Sequence, residues 1–176
     1  MIRSNPFKKA FCEDHINDTI DDDCARMQLL GLCKSLNEAE KSVIRAIVDL
    51  IPSIHDCTLN DLSEAHLSAS FVHLMMHGLF STKDPMKIAH CSNLVPDEQS
   101  ESNVNRPDYK VDVYQAYKYL YTNVYGEIKA SKSISSSLLA NDFCRIAVFC
   151  KDALDQQKLN HTIGFQVTGK FLNKYY

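Results

Sequence analysis

Apolar residues along this chain fall first at the spacing of helices and later at the spacing of strands. Met27, Leu30, Leu32 and Cys33 suggest a helix over Ile20 to Leu36. Its first turn holds Asp21, Asp22 and Asp23, where carboxylates meet the positive end of the helix dipole. That position favours a helix-terminal role for the aspartates over a metal cluster. Val43, Ile44, Ile47, Val48 and Ile51 form the stripe of a second helix. It opens with a capping box, Asn37 with Glu40 or Ser35 with Glu38, and ends at Pro52. Leu67, Phe71, Leu74, Met75 and Leu79 mark a third helix from Glu64 to Phe80, capped by Thr58, Asn60 or Ser63 and ended or loosened at Gly78. His66, His73 and His77 lie on it. The four-residue step from His73 to His77 can chelate a metal, but no third ligand and no zincin glutamate accompany it, so core-edge or partly exposed histidines are the expectation.

Beyond Ser81 the pattern changes. A short strand is expected near 86–92, then a mobile acidic, Ser/Asn-rich loop at about 95–105. Tyr109, Val111 and Val113 alternate with Lys110 and Asp112, a period-2 strand signature. Tyr119 to Ala130 reads as a second, more apolar strand, and Ala116–Lys118 is a poor turn by residue type. Ser131 to Ser137 supplies a loop and a cap for a helix over Leu138 to Lys158, with Phe143, Ile146, Ala147, Cys150 and Leu154 on one face. Strands at His161–Thr168 and Lys170–Tyr175 turn at Gly169. Strands clustered after helices, with one helix returning across the sheet, give an α+β class.

At 176 residues and 45% apolar content, the chain suits one well-packed domain with a helical appendage, divided at 1–57 and 58–176. The net charge of −3 provides no footprint for tight non-specific nucleic-acid binding, although a local patch can still serve a nucleic-acid substrate. Seven cysteines without a CxxC pair fit reduced thiols in an intracellular protein, cytoplasmic or nuclear. Residues Met1 to Lys9 lack the apolar region of a secretory signal, and no apolar run reaches membrane-span length, so a soluble chain is expected.

The chemistry concentrates between Arg106 and Lys129. If residues 120–130 form a strand, Glu127 and Lys129 share a face, Ile128 points into the packed layer, and Asp108 opens the neighbouring strand. Two carboxylates and the Ile128 carbonyl then make a hard-oxygen pocket of the kind Mg²⁺ or Mn²⁺ uses. A lysine beside such an ion can orient a water and offset the charge that builds on a phosphate. The alternative is a turn residue, Asp108, beside a solvated Glu127/Lys129 strand pair. The two readings separate on whether Asp108, Glu127 and Lys129 converge.

Pro107-Asp108 and Glu127-Ile128-Lys129 resemble the signature of the PD-(D/E)XK nuclease superfamily, over about residues 58–170. Gly126 to Leu154 is also similar to parts of uncharacterised fungal proteins with this pattern. The resemblance implies a restriction-endonuclease-like αβββαβ core, a mixed sheet flanked by helices, with Pro-Asp starting the second strand and Glu-x-Lys on the third. It implies Asp108, Glu127 and the Ile128 carbonyl as ligands of Mg²⁺ or Mn²⁺, and Lys129 as the residue that positions water. It further implies Glu64 as an assisting acid from the first core helix and Arg145 or Lys151 as a polar residue on the second. The expected activity is metal-dependent hydrolysis of phosphodiesters, DNA favoured, with a homo-oligomer compatible with the reading. The competing expectation is a catalytically inactive protein of the same fold that binds protein or nucleic acid, since fold alone does not grant function.

Overall fold

The computed structural model describes residues 20–54, 62–92, 106–130 and 135–169, and the backbone of Phe171–Tyr175. The expected lead-in (1–19), the loop through His55 and Cys57, the loop at 95–105 and most of the serine-rich loop lie outside the described residues.

Helix α1 (Asp22–Leu32) begins at Asp21, whose carboxylate accepts the Cys24 N–H at 2.8 Å, so the aspartate run does terminate a helix. A 3₁₀ turn, Cys33–Ser35, leads to helix α2 (Glu38–Leu50). Of the two possible capping boxes the chain uses Asn37 with Glu40, each side chain accepting the other's N–H at 3.0 Å. Asn37→Ala removes one of these acceptors and is expected to lower stability by about 1 kcal/mol, seen as a lower urea midpoint with an unchanged slope.

Helix α3 (Glu64–Leu67), a π-helical turn (Ser68–Val72) and helix α4 (His73–Phe80) run without a break, opened by Ser63 accepting the His66 N–H. Gly78 does not end this helix. It is buried inside α4, where Ala46 of α2 crosses close by.

The sheet contains β1 (Thr82–Lys83), β2 (Met86–Cys91), β3 (Tyr109–Gln115), β4 (Lys118–Lys129), β5 (Ile163–Thr168) and β6 (Phe171–Tyr175), in that spatial order. Neighbours are antiparallel except β4 and β5, which are parallel. A parallel pair needs a crossover, and helix α5 (Ser136–Gln157), capped by Ser135, provides it. The class is therefore α+β with a mixed sheet.

Helices cover both faces of this sheet. Leu67, Val72 and Met76 pack on Ala89, Tyr109, Val111, Val124, Ile128, Phe165 and Val167 from one side. On the other side Phe149 and Ala153 of α5 pack on Tyr125. A separate cluster, Ala25, Leu29, Val48 and Ile51, joins α1 to α2. Three apolar stripes differ from expectation. On α1, Ala25 and Leu29 are buried while Met27, Leu30 and Leu32 are exposed. On α2, Ala46 and Val48 are buried, as is Ile51 just past its end, while Val43 and Ile47 are exposed. On α5 the buried positions are Asp142, Ile146, Phe149 and Ala153, while Phe143 faces out.

The β3–β4 connection is a two-residue turn in which Ala116 and Tyr117 both adopt positive φ, 47° and 63°. Such turns favour Asn and Gly, and side chains with a Cβ pay about 1 kcal/mol or more at each position. Among the described residues no helix is long and apolar enough to cross a membrane.

Candidate active site

Pro107 is buried and has no N–H to give, and Asp108 is fixed just outside β3 by two backbone bonds. Its N–H donates to Gly126 O and its carbonyl accepts the Ser92 N–H, both at 3.0 Å. The Asp108 side chain is thereby aimed across the end of β4, where Oδ2 accepts the Ile128 N–H at 2.8 Å and lies 3.5 Å from Lys129 Nζ. Lys129 Nζ also donates to the Ile128 carbonyl at 3.3 Å. Among the described residues nothing bonds to Asp108 Oδ1. Asp108, Lys129 and the Ile128 carbonyl thus converge, and the Ile128 side chain is in the core as strand alternation requires.

Glu127 is on the same side of the strand as Lys129 but lies deeper, at 0% exposure under α5. Gly126 permits the tight β4–β5 seam beside it, since a Cβ there would fall 2.1 Å from the Phe165 ring. Arg145 of α5 reaches between two acids, with Nη2 3.2 Å from Glu127 Oε1 and Nη1 3.3 Å from Asp142 Oδ1. Nη2 also donates to the Arg106 carbonyl at 2.8 Å, tying α5 to the segment that leads into Asp108. The guanidinium approach to Glu127 is an ion contact without hydrogen-bond alignment: among the described residues neither Glu127 oxygen, nor Asp142 Oδ2, has a hydrogen-bond partner. Gln166, opposite Glu127 on β5, turns its amide to the Leu139 carbonyl.

The electrostatics follow from this crowding. Burial raises the Glu127 pKa to about 8; the Asp108 and Asp142 charges act in the same direction, and Arg145 and Lys129 only partly oppose them. Burial also pulls the Lys129 ammonium down, but Asp108, Asp142, Glu64 and Glu127 outweigh it, so Lys129 is held charged above its ordinary range. Glu64 is exposed in the first turn of α3 and reaches Lys129 through its field, while Asp108 makes the contact.

A buried carboxylate with an ion contact but no hydrogen bond among the described residues offers oxygen ligands that a divalent cation would satisfy. Among the described residues no group of three or more His, Cys, Asp and Glu side chains forms a metal cage. The residues that fit are Asp108, Glu127 and the Ile128 carbonyl, a sparse set of the kind Mg²⁺ accepts when water and phosphate complete its shell.

The other expected residues divide. Lys151 is exposed and paired with Asp155, so the polar residue that α5 brings to this site is Arg145. His73 bonds Tyr109 OH at 2.9 Å, His77 is exposed, and His66 stacks on Phe71. Sequence reasoning missed Asp142. Its only signal was the i,i+3 step to Arg145, which places both on one helix face. Also missed was a second polar cluster across β2, β3 and β4, in which buried Asp112 accepts from His90 Nε2 (2.7 Å), Lys110 Nζ (3.1 Å) and Thr122 Oγ1 (2.6 Å). Burial pushes Asp112 up, yet the bonds from His90 and Thr122 and the Lys110 charge prevail and hold it below its usual range.

Comparisons of the chain with family models, with curated proteins and with solved structures find no match.

Proposed function

We propose that this protein is a metal-dependent phosphodiesterase of the PD-(D/E)XK type, acting on nucleic acid, with DNA favoured. The observation that carries the reading is the meeting of Asp108, Lys129 and the Ile128 carbonyl beside buried Glu127, whose oxygens have the Arg145 ion contact but, among the described residues, no hydrogen bond. The order helix, three antiparallel strands, helix, parallel strand, from α3/α4 through β2–β4 and α5 to β5, supports a restriction-endonuclease-like core. Residues 58–176 would form that unit and 1–57 a helical extension, in an intracellular protein.

On this reading Asp108, Glu127 and the Ile128 carbonyl would hold Mg²⁺ or Mn²⁺. The ion would supply charge neutralisation at the phosphate and acidify a water. Lys129, kept cationic, would donate to a phosphate oxygen or an attacking water and offset charge developing there. Asp108 keeps Lys129 in place. Arg145 braces the Glu127 side of the site through Asp142 and the Arg106 carbonyl, and Glu64 adds field at the rim.

The test is a Mg²⁺ and Mn²⁺ titration read by thermal shift. Binding to the folded state alone stabilises it by about 2.7 kcal/mol at a hundredfold excess over Kd, a rise of several degrees. Wild type is expected to show the rise and Asp108→Ala to lose it. Lys129→Ala should keep the metal-dependent rise while cleavage of single- or double-stranded DNA falls by at least about a hundredfold. Absence of any rise at millimolar metal would sink the catalytic assignment. A non-catalytic binding protein on the same frame would then be favoured, and one feature already fits it: the Arg145 guanidinium stands where it partly neutralises Glu127.

A further inference from the structure

The β3–β4 hairpin carries the candidate site at one end and a different surface at the other. Asp108 and Tyr117 are separated by roughly 25 to 30 Å of extended strand. At the far end a cavity of about 510 Å³ opens between the hairpin and the β1–β2 turn. Tyr114, Tyr117 and Tyr121 line it, with Leu120 and Pro85 beside them and Lys83 at its rim. Tyr117 is 89% exposed and Leu120 is also open to solvent. Tyr114 is fixed edge-to-face against Tyr119, ring centroids 6.0 Å apart, so part of the aromatic wall is rigid.

Two features show that this end is not simply an economical turn. Ala116 and Tyr117 occupy the left-handed region, where Asn and Gly would be relaxed, and the strained arrangement displays an aromatic ring at the tip. Lysines also outnumber acids here: Lys83 and Asp84 line the cavity together, and Lys87 and Lys118 lie on the strands that bound it. Tyrosine faces with nearby lysines are the chemistry that stacks bases and contacts phosphates of a single strand, without reading sequence. A cavity of this size suits one planar base and its sugar.

We propose that this hairpin end is a stacking cradle for an unpaired nucleotide of single-stranded nucleic acid. The choice of a nucleobase over other flat ligands rests on the nucleic-acid reading of the site above, but the cradle requires neither metal nor catalysis.

The test uses the full chain in EDTA and a fluorescently labelled oligothymidylate of about ten nucleotides, with binding read by anisotropy. The informative variant is Ala116→Asn/Tyr117→Gly, which removes the ring and relaxes the turn together. Wild type should bind, and the variant should bind about tenfold or more weakly while unfolding at a higher temperature. Equal affinity of the two proteins would overturn the cradle, and so would no binding by wild type. Equal competition by a duplex, or tighter capture of a proline-rich peptide that displaces the oligonucleotide, would also overturn it. Binding lost in the variant, in a protein that shows neither metal-dependent stabilisation nor cleavage, would uphold the cradle and remove only the catalytic reading.

Discussion

Replacing Glu127 with glutamine is expected to flatten the pH dependence of stability of the metal-free protein between about pH 4.5 and about pH 8. Those bounds are the carboxyl's ordinary pKa and the value to which burial raises it. Across that window the folded state keeps a proton on Glu127 that the unfolded chain has released. The unfolded state binds fewer protons, so stability falls as pH rises, by about 1.4 kcal/mol per pH unit for this group. The contribution is complete below the ordinary carboxyl pKa and has been lost above the raised one. Glutamine keeps the shape and has nothing to ionise. Wild type and Glu127→Gln should therefore lie close together near pH 5 and diverge by several kcal/mol, with the variant more stable, above pH 8. Urea unfolding at a series of pH values without metal measures the divergence. Parallel curves would mean that Glu127 is ionised throughout, with Arg145 fully compensating its burial.

Gly78→Ala is expected to destabilise the fold by about 3 kcal/mol or more, lowering the melting temperature by about ten degrees. Helix propensity alone points the other way, since alanine is favoured over glycine inside a helix by about 1 kcal/mol. Tertiary structure decides the sign. A Cβ at residue 78 would stand 2.5 Å from Ala46 Cα and 2.6 Å from Ala46 N, backbone atoms that no rotamer change can move aside. Helices α2 and α4 would have to separate, and the core cluster containing Met76 would shift with α4. Gly31→Ala is the matched control, because nothing lies within 4 Å of a Cβ there. It should stabilise by about 0.5 to 1 kcal/mol. Thermal and urea unfolding of the two variants side by side tests both signs, and a stable Gly78→Ala protein would show that the α2–α4 seam can open without penalty.

Much of the candidate site was legible because it is written locally. Pro107 before Asp108 marks a strand start, and Glu127 and Lys129 two apart in an apolar strand share a face by the period of the backbone alone. What α5 contributes was not legible. Asp142 occupies a core-facing position that an apolar stripe cannot announce, and its partner Arg145 gains meaning only when α5 lies over β4. The Asp112 cluster was hidden for a related reason: Lys110 shares its strand and face, but His90 of β2 and Thr122 of β4 reach the carboxylate only through the register of the neighbouring strands.

The sequence by itself determined the elements and narrowed their starts: the Asp21–Asp23 run, Asn37 or Ser35, Thr58, Asn60 or Ser63, and the Ser131–Ser137 segment, together with the change from helical to strand period and one helix returning across the sheet. These depend on interactions within a few residues, which neighbouring side chains specify. Tertiary structure alone decided which face of each helix is inside. On α2 the small residue Ala46 meets Gly78, turning Val43 and Ile47 outward, because close approach of two backbones outweighs burial of larger side chains. It also decided the state of Glu127. A glutamate in a strand is ordinary until the sheet, α5 and two further acids enclose it, and the loss of water then raises its pKa.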